Sequence, residues 1–461
     1  MPEQHLWTER AWIEGGWKAS VLLSVDEQGR WAGIHAGVAT PPAGTRILPG
    51  PVLPGMVDAH SHAFQRAFAG LSERRESDAD DFWSWRDRMY RVALRITSEQ
   101  MQAVAAHLYV ELLRGGYTQV CEFHYLHHDP QGTAYADPCT MSWALADAAE
   151  QAGLGLTLLP VLYERAGFAQ PALRDDQRRF ASTPTLVHAI HNAASRARRP
   201  LLNAGVAIHS LRAASADSIR ALLRHVGNAP MPIHIHVAEQ TQEVTDCLQA
   251  TGKRPIAWLC SQLPLDARWQ LVHATHAEPK EIAAVADCGA GIVICPSTEG
   301  NLGDGLTDLP GWLSHGVPMA IGSDSQVTRN WPEELRWLEY GQRLLCRQRN
   351  VAASPSCQPA TAARLFEAAL SGGGAAAGQT RWGLVSGARA DALVLDAKTP
   401  ALLGLPASHQ LDALVFAAAE PAFAEVLVAG NVVMRHGRHA QEQRIATEFE
   451  SAMQALWADQ V

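Results

Sequence analysis

The sequence predicts an α/β fold: a (β/α)8 TIM-like barrel with a small β-sandwich domain built from both chain ends. Three observations carry that prediction. From about residue 55 to about residue 382, short apolar segments alternate with longer stretches of helical period. Eight such apolar segments occur in order, the number a closed parallel barrel requires. Sequence of β character, broken by Gly and Pro turns, stands both before and after that region.

The elements follow in order. Residues 12–50 read as short strands, giving a first β segment over 1–54. The first barrel strand closes on His60. Further strands are expected at 118–123, 157–162, 205–209, 233–237, 271–274, 291–295 and 319–322, with helical runs such as 101–114, 216–224 and 334–345 between them. Strand–helix alternation of this kind implies a parallel sheet with right-handed crossovers. No Gly-x-Gly-x-x-Gly follows a strand, which disfavours an open dinucleotide-binding sheet. The run Gly372-Gly373-Gly374-Ala375-Ala376-Ala377-Gly378 reads as a flexible loop near the domain junction. Strand-like segments at 390–396 and 426–433 and a helix at 441–456 complete the chain. The expected domains are therefore 1–54, 55–382 and 383–461.

Composition narrows the function. The chain has 461 residues, 47% hydrophobic and 18% charged, which suits a globular enzyme. A net charge of −9 argues against a nucleic-acid partner. No apolar run is long enough for a membrane span, so no membrane partner is expected. Met1-Pro2-Glu3-Gln4-His5 lacks the basic-then-apolar pattern of a secretory leader. The eight cysteines are scattered without a Cys-x-x-Cys pair, as expected of reduced thiols in the cytoplasm rather than a zinc knuckle.

The residues that carry chemistry sit at the ends of the expected strands. Pro54-Gly55-Met56-Val57-Asp58-Ala59-His60-Ser61-His62 ends an apolar strand on two histidines that share one face. His234-Ile235-His236-Val237-Ala238-Glu239 does the same and adds a carboxylate three residues on. His234 and His236 share a strand face, so spacing alone leaves open which of them ligates. His273 closes a third apolar run, and Asp324 follows a fourth. A neutral imidazole suits Zn²⁺, and a nearby carboxylate suits a proton carrier. Each residue alone has an ordinary reading, as a core histidine or a capping aspartate. Four such endings in sequence order make coincidence a poor explanation.

Together these segments resemble the amidohydrolase superfamily over nearly the whole chain. Within it they are most similar to the formimidoylglutamate deiminases of histidine degradation. That narrower resemblance lies in His60-Ser61-His62-Ala63-Phe64-Gln65-Arg66, Phe82-Trp83-Ser84-Trp85-Arg86, Glu122-Phe123-His124-Tyr125-Leu126-His127-His128 and His209-Ser210-Leu211-Arg212. It implies hydrolysis of N-formimino-L-glutamate to N-formyl-L-glutamate and ammonia. It implies one Zn²⁺ held by His60, His62, His236 and Asp324, although Fe²⁺ or Mn²⁺ suit similar N/O sites. Glu239 and His273 would act on the attacking water and the leaving group, with Asp324 accepting the water proton. A small dicarboxylate needs cations of fixed geometry, and Arg212 and Arg86 are the candidates, with Gln65, Tyr125 and His209 as further substrate contacts. A homodimer is the family expectation.

The only lysines are Lys18, Lys253, Lys280 and Lys398, so no middle-strand lysine is available to bridge two metals, consistent with one ion. His124, His127 and His128 are expected to serve loop hydrogen bonding rather than a second metal, and Cys295 to be a buried thiol. The segment 301–305 resembles a pocket-shaping loop. Two other readings keep the same fold: a deaminase acting on a purine- or pterin-like ring amidine, and a non-catalytic scaffold barrel.

Overall fold

Eight parallel strands form a nearly closed barrel in the computed structural model, which describes residues 4–75 and 81–458. Residues 1–3 and 459–461, the outer limits of the expected β segments and part of the leader reading, lie outside the described residues. In chain order the barrel strands are Met56–Ser61, Tyr117–His124, Gly155–Leu162, Val206–Ile208, Ile233–Val237, Trp269–His273, Gly291–Ile294 and Met319–Ile321. Each hydrogen-bonds to the next in that order, and Ser61 bridges to Asp324 where the first strand meets the eighth. Every residue of these strands is buried, because helices cover the outer face while side chains fill the inner one. The eight strands coincide with the eight segments expected from hydropathy, to within a residue or two at each end.

Strands from both chain ends form a second, nine-stranded sheet. Its junction pairs Val52–Pro54, from the N-terminal segment, with Ala392–Leu395 from the C-terminal one; Leu53 stands opposite Leu393. This sheet has its own apolar core, including Leu6, Val21, Leu23, Trp31, Val52 and Leu427. Phe423–Val428 and Asn431–Arg435 extend it, and the helix Glu442–Trp457 ends the described chain.

One expectation is corrected. The glycine-rich run is not a loop: residues 372–376 are the last turns of the helix Thr361–Ala376, with Gly372, Gly373 and Gly374 all buried. A Cβ at Gly372 would lie 2.1 Å from the Met319 carbonyl oxygen, and one at Gly373 would lie 2.9 Å from Val57 Cβ. Glycine lowers helix propensity by about 1 kcal/mol per residue. Here the missing side chain lets the helix backbone lie directly against the first and eighth strands, and that packing outweighs propensity. The helix end then closes the N-terminal mouth of the barrel. The Ala376 carbonyl accepts from His234 Nε2 at 2.9 Å, and the Ala377 carbonyl from Thr157 Oγ1 at 3.1 Å and Asn203 Nδ2 at 2.7 Å.

Candidate active site

The opposite mouth, at the C-terminal ends of the strands, gathers the histidines. His60 lies near the end of the first strand with His62 just beyond it, His236 in the fifth, His273 at the end of the sixth, and Asp324 three residues past the eighth. All five are buried. His273 and Asp324 adopt φ values of +69° and +47°, and Ala238 and Ala274 adopt +52° and +49°. Left-handed backbone at non-glycine residues is costly and is tolerated where the surroundings hold it. Here it marks the points where strands end and side chains turn over the barrel axis.

His60 Nε2 and His236 Nε2 lie 2.9 Å apart. Asp324 Oδ1 is 3.3 Å from His62 Nε2 and 3.6 Å from His60 Nε2. His62 Nδ1 donates to the Phe123 carbonyl at 2.9 Å, which leaves a lone pair on Nε2. Burial holds His60 and His236 well below the usual imidazole range and His62 down to about 3, so all three rings are neutral. Convergent imidazole nitrogens beside a carboxylate repel unless a cation joins them. His60 belongs to two overlapping groups, one with His62 and Asp324 and one with His236 and His273, and imidazole nitrogens with a carboxylate oxygen are donors that suit Zn²⁺. Burial pushes the Asp324 carboxyl up to about 7, although His273 opposes the rise; a cation in the cluster would add further opposing charge.

His273 behaves differently. Burial alone would keep it neutral, but the carboxylates of Glu239, Asp324 and Glu299 outweigh burial and lift it to about 10. Its Nδ1 donates to Glu299 Oε1 at 3.3 Å, while Nε2 faces Asp324 Oδ2 at 3.7 Å and Glu239 Oε1 at 3.8 Å. The ring is thus an imidazolium aimed at the gap between two carboxylates.

Buried carboxylates brace this cluster from behind. Asp58 accepts from Ser323 N at 2.9 Å and Ser323 Oγ at 2.5 Å. Glu122 accepts from Ala63 N at 2.6 Å and Ser61 Oγ at 2.9 Å. Gln326 Nε2 donates to the Asp324 carbonyl at 2.8 Å. These bonds tie the first strand to the second and the eighth, which fixes the loops bearing the candidate ligands.

The remaining predicted residues line the same cavity: Gln65, Arg86, Tyr125, His209, Arg212 and Glu239, joined by Tyr90 and Tyr163. Gln65 Nε2 donates to Tyr125 Oη at 3.4 Å. Burial and the adjacent Arg212 keep His209 neutral. Arg212 is only 7% exposed, yet its Nε lacks any hydrogen-bond partner among the described residues. Its nearest carboxylates stand off at 3.8 Å, Glu239, and 3.9 Å, Glu243. Arg165 holds the Arg212 backbone by donating to the carbonyls of Leu211, Arg212 and Ala214 at 2.7–3.1 Å. Arg86 Nε likewise has no partner among the described residues, while its Nη2 donates to Asp87 Oδ1 at 3.4 Å. Both guanidinium groups lie over the Trp83 ring, Arg86 at 4.6 Å and Arg212 at 5.7 Å from its centre. An outer cavity lined by Trp83, Arg174 and Gln242 shares the two arginines, so they stand between the enclosed site and the entrance.

The structure places the two strand histidines apart: His236 joins the cluster, whereas His234 bonds to the floor helix. His127 Nε2 donates to the Val161 carbonyl at 2.9 Å, and the backbone N–H groups of His127 and His128 donate to the Arg179 carbonyl. Among the described residues, the groups able to hold a metal draw only on His60, His62, His236, His273, Cys295 and Asp324. Cys295 is near enough to count, but burial raises its thiol well above the usual range and disfavours the thiolate a metal needs. Leu302, in the expected pocket-shaping segment, lines the cavity. Sequence reasoning assigned no role to Asp58, Tyr90, Glu122, Tyr163, Glu243 or Glu299. Glu243 and Glu299 each lie four residues past a strand-end residue, Glu239 and Cys295, a weak signal that only burial makes informative.

A barrel with these strand-end groups belongs to a known class. The amidohydrolase family profile matches residues 52–434, and the chain is a member of that family, hydrolases that act on C–N bonds. Over 455 residues it is 44% identical to a formimidoylglutamate deiminase of Pseudomonas aeruginosa, covering 98% of this chain and 99% of that one. It is 28% identical over 391 residues to a 5-methylthioadenosine/S-adenosylhomocysteine deaminase of Desulfovibrio desulfuricans, covering 84% and 80% of the two chains. Among solved structures, an amidohydrolase of Brucella melitensis superposes with a TM-score of 0.92 at 40% identity, covering 98% of this chain and 99% of that one. An adenosine deaminase of Xanthomonas campestris superposes with a TM-score of 0.81 at 20% identity, covering 99% and 98%, a likeness of fold alone.

Proposed function

We propose that this chain is a metal-dependent deiminase that hydrolyses N-formimino-L-glutamate to N-formyl-L-glutamate and ammonia, as a step of histidine degradation. The observation that carries the substrate class is the pair of buried Arg212 and half-buried Arg86, whose Nε groups have no hydrogen-bond partner among the described residues and which line the cavity beside the histidine–aspartate cluster. A buried guanidinium N–H without an acceptor is costly, and a bound carboxylate supplies one. The full-length identity to the Pseudomonas deiminase supports the same substrate.

In this reading His60, His62, His236 and Asp324 hold one Zn²⁺. When bound, the ion supplies Lewis-acid charge that eases deprotonation of water at neutral pH. Asp324 accepts a proton from the attacking water. The His273 imidazolium, oriented by Glu299, donates toward the attacking oxygen and stabilises charge as the formimino carbon becomes tetrahedral. Two protons must reach the departing nitrogen: Asp324 returns the one it took from the water, and Glu239 takes the proton of the added hydroxyl as the C=O bond forms and passes it on, so ammonia leaves. Arg212 and Arg86 hold the carboxylate tail, and Gln65, Tyr125 and His209 contact the substrate nearer the reacting carbon.

The test is ammonia release from N-formimino-L-glutamate by the purified protein, before and after chelation and Zn²⁺ return. 5-Methylthioadenosine, guanine and a pterin serve as comparison substrates. Turnover of a ring amidine in preference to the dicarboxylate would overturn the substrate assignment, and absence of turnover on all of them would favour a scaffold role. The reading also takes the enzyme to be a cytoplasmic homodimer without nucleic-acid or membrane partners. The net charge of −9 disfavours nucleic acid and the scattered cysteines suit a reducing compartment, and no helix among the described residues is long and apolar enough to cross a membrane. Sedimentation velocity tests the dimer.

A further inference from the structure

Glu243 has no exposed surface and no part in the steps above. It sits in the first turn of the helix Thr241–Thr251, four residues beyond Glu239. Its carboxylate faces back toward the strand end. Oε1 accepts from Ala238 N at 3.2 Å and Oε2 from Glu239 N at 3.3 Å. Two successive backbone N–H groups thereby cradle one anion, and they flank the left-handed Ala238, φ +52°. The same Oε2 lies 3.9 Å from Arg212 Nε, while Glu239 Oε2 lies 3.8 Å from Arg212 Nη2. One guanidinium is therefore suspended between two carboxylates, in hydrogen-bond contact with neither.

We propose that Glu243 is a positioning residue that sets the separation between the proton carrier Glu239 and the anion anchor Arg212. It fixes the Glu239 backbone through the two N–H bonds and draws the Arg212 guanidinium away from the Glu239 carboxylate. Without its charge, Arg212 has a single anionic neighbour and closes onto Glu239. The donors meant for the substrate tail are then spent, and the group meant to carry a proton is locked in an ion pair. One buried side chain thus couples recognition of the acid tail to proton delivery. The proposal rests on the function given above.

The test compares the metal-loaded wild-type enzyme with Glu243→Gln, measuring glutarate binding by calorimetry alongside ammonia release. Glutarate carries the acid groups but has no C–N bond to break, and both proteins keep Arg86, so the change in its affinity between them reports on Arg212. We expect glutarate affinity and kcat each to fall about tenfold or more, with most of the melting temperature retained. Turnover of formamidine, which has no carboxylate, should lose only the kcat component. Glutarate affinity within about twofold of wild type in folded E243Q would overturn the proposal. If E243Q misfolds, the Ala238→Gly/Glu243→Gln pair carries the comparison, since glycine takes positive φ without strain. Misfolding of both variants would mark a purely structural role and also overturn it. A wild-type protein that releases ammonia but does not bind glutarate refutes this coupling alone. One that does neither refutes the functional reading beneath it.

Discussion

Replacing Arg212 with methionine isolates the contribution of one guanidinium while keeping an apolar stem beside Trp83. In the free protein Arg212 Nε has no hydrogen-bond partner among the described residues, and the carboxylates of Glu239 and Glu243 stand 3.8 and 3.9 Å away. The free enzyme therefore loses little hydrogen bonding. Glu243 keeps both of its N–H donors. Burial raises its pKa and Arg212 opposes that rise, so removing Arg212 shifts the Glu243 carboxyl further upward. The complex loses much more. A guanidinium and a carboxylate make two charge-assisted hydrogen bonds, each contributing about 1.5–3 kcal/mol. Arg86 remains to hold the tail, so the lower end, about 3–4 kcal/mol, is appropriate, which corresponds to a fall in kcat/KM of about 10²–10³-fold. Coupled ammonia-release kinetics measure it, with circular dichroism melting as the control for folding. A folded variant whose kcat/KM stays within about fivefold of the parent would refute the reasoning.

Three other outcomes are expected. Glu239→Gln should retain the metal, as measured by elemental analysis, while turnover falls about 10²–10⁴-fold from loss of proton delivery. His236→Gln should lose the metal, whereas His234→Leu should keep it and cost about 1–2 kcal/mol of stability, because the Ala376 carbonyl loses a donor; metal loss from the His234 variant would reverse the assignment. Gly372→Ala should lower the denaturation free energy by about 1–2 kcal/mol, since the helix propensity gained is smaller than the overpacking against the Met319 carbonyl, 2.1 Å from the new Cβ. Equal or greater stability in that variant would show that the helix shifts freely.

The barrel was legible because strands buried on both faces are mainly apolar: Gly291–Ile294 and Met319–Ile321 are wholly so, and the others keep enough apolar residues to stand out although Asp58, Gln119, Glu122 and Gln270 interrupt them. The polar strand ends stood out against those runs, which is why His60, His62, His236, His273 and Asp324 could be found and do converge. Two kinds of feature stayed hidden. The glycine run at 372–374 has the composition of a flexible linker, and only its close approach to Val57 and Met319 reveals a helix built to touch the sheet. Glu243 and Glu299 look like ordinary helix-start acids, and only their burial against Arg212 and His273 sets them apart. Both are properties of long-range contact, which local pattern cannot carry. The choice between His234 and His236 was hidden for a related reason: period-two alternation gives the face of the strand but not the depth along the barrel axis.

Because the glycine-bearing helix shuts one end of the barrel, the open approach is at the other end, where Trp83 and the two arginines line an outer cavity. The traffic is asymmetric. Ammonia is small and slips out, but the acid product keeps every carboxylate by which the substrate was captured. A clasp that recognises the tail so well also holds the product that carries it, so the deiminated acid competes with fresh substrate for the same two arginines.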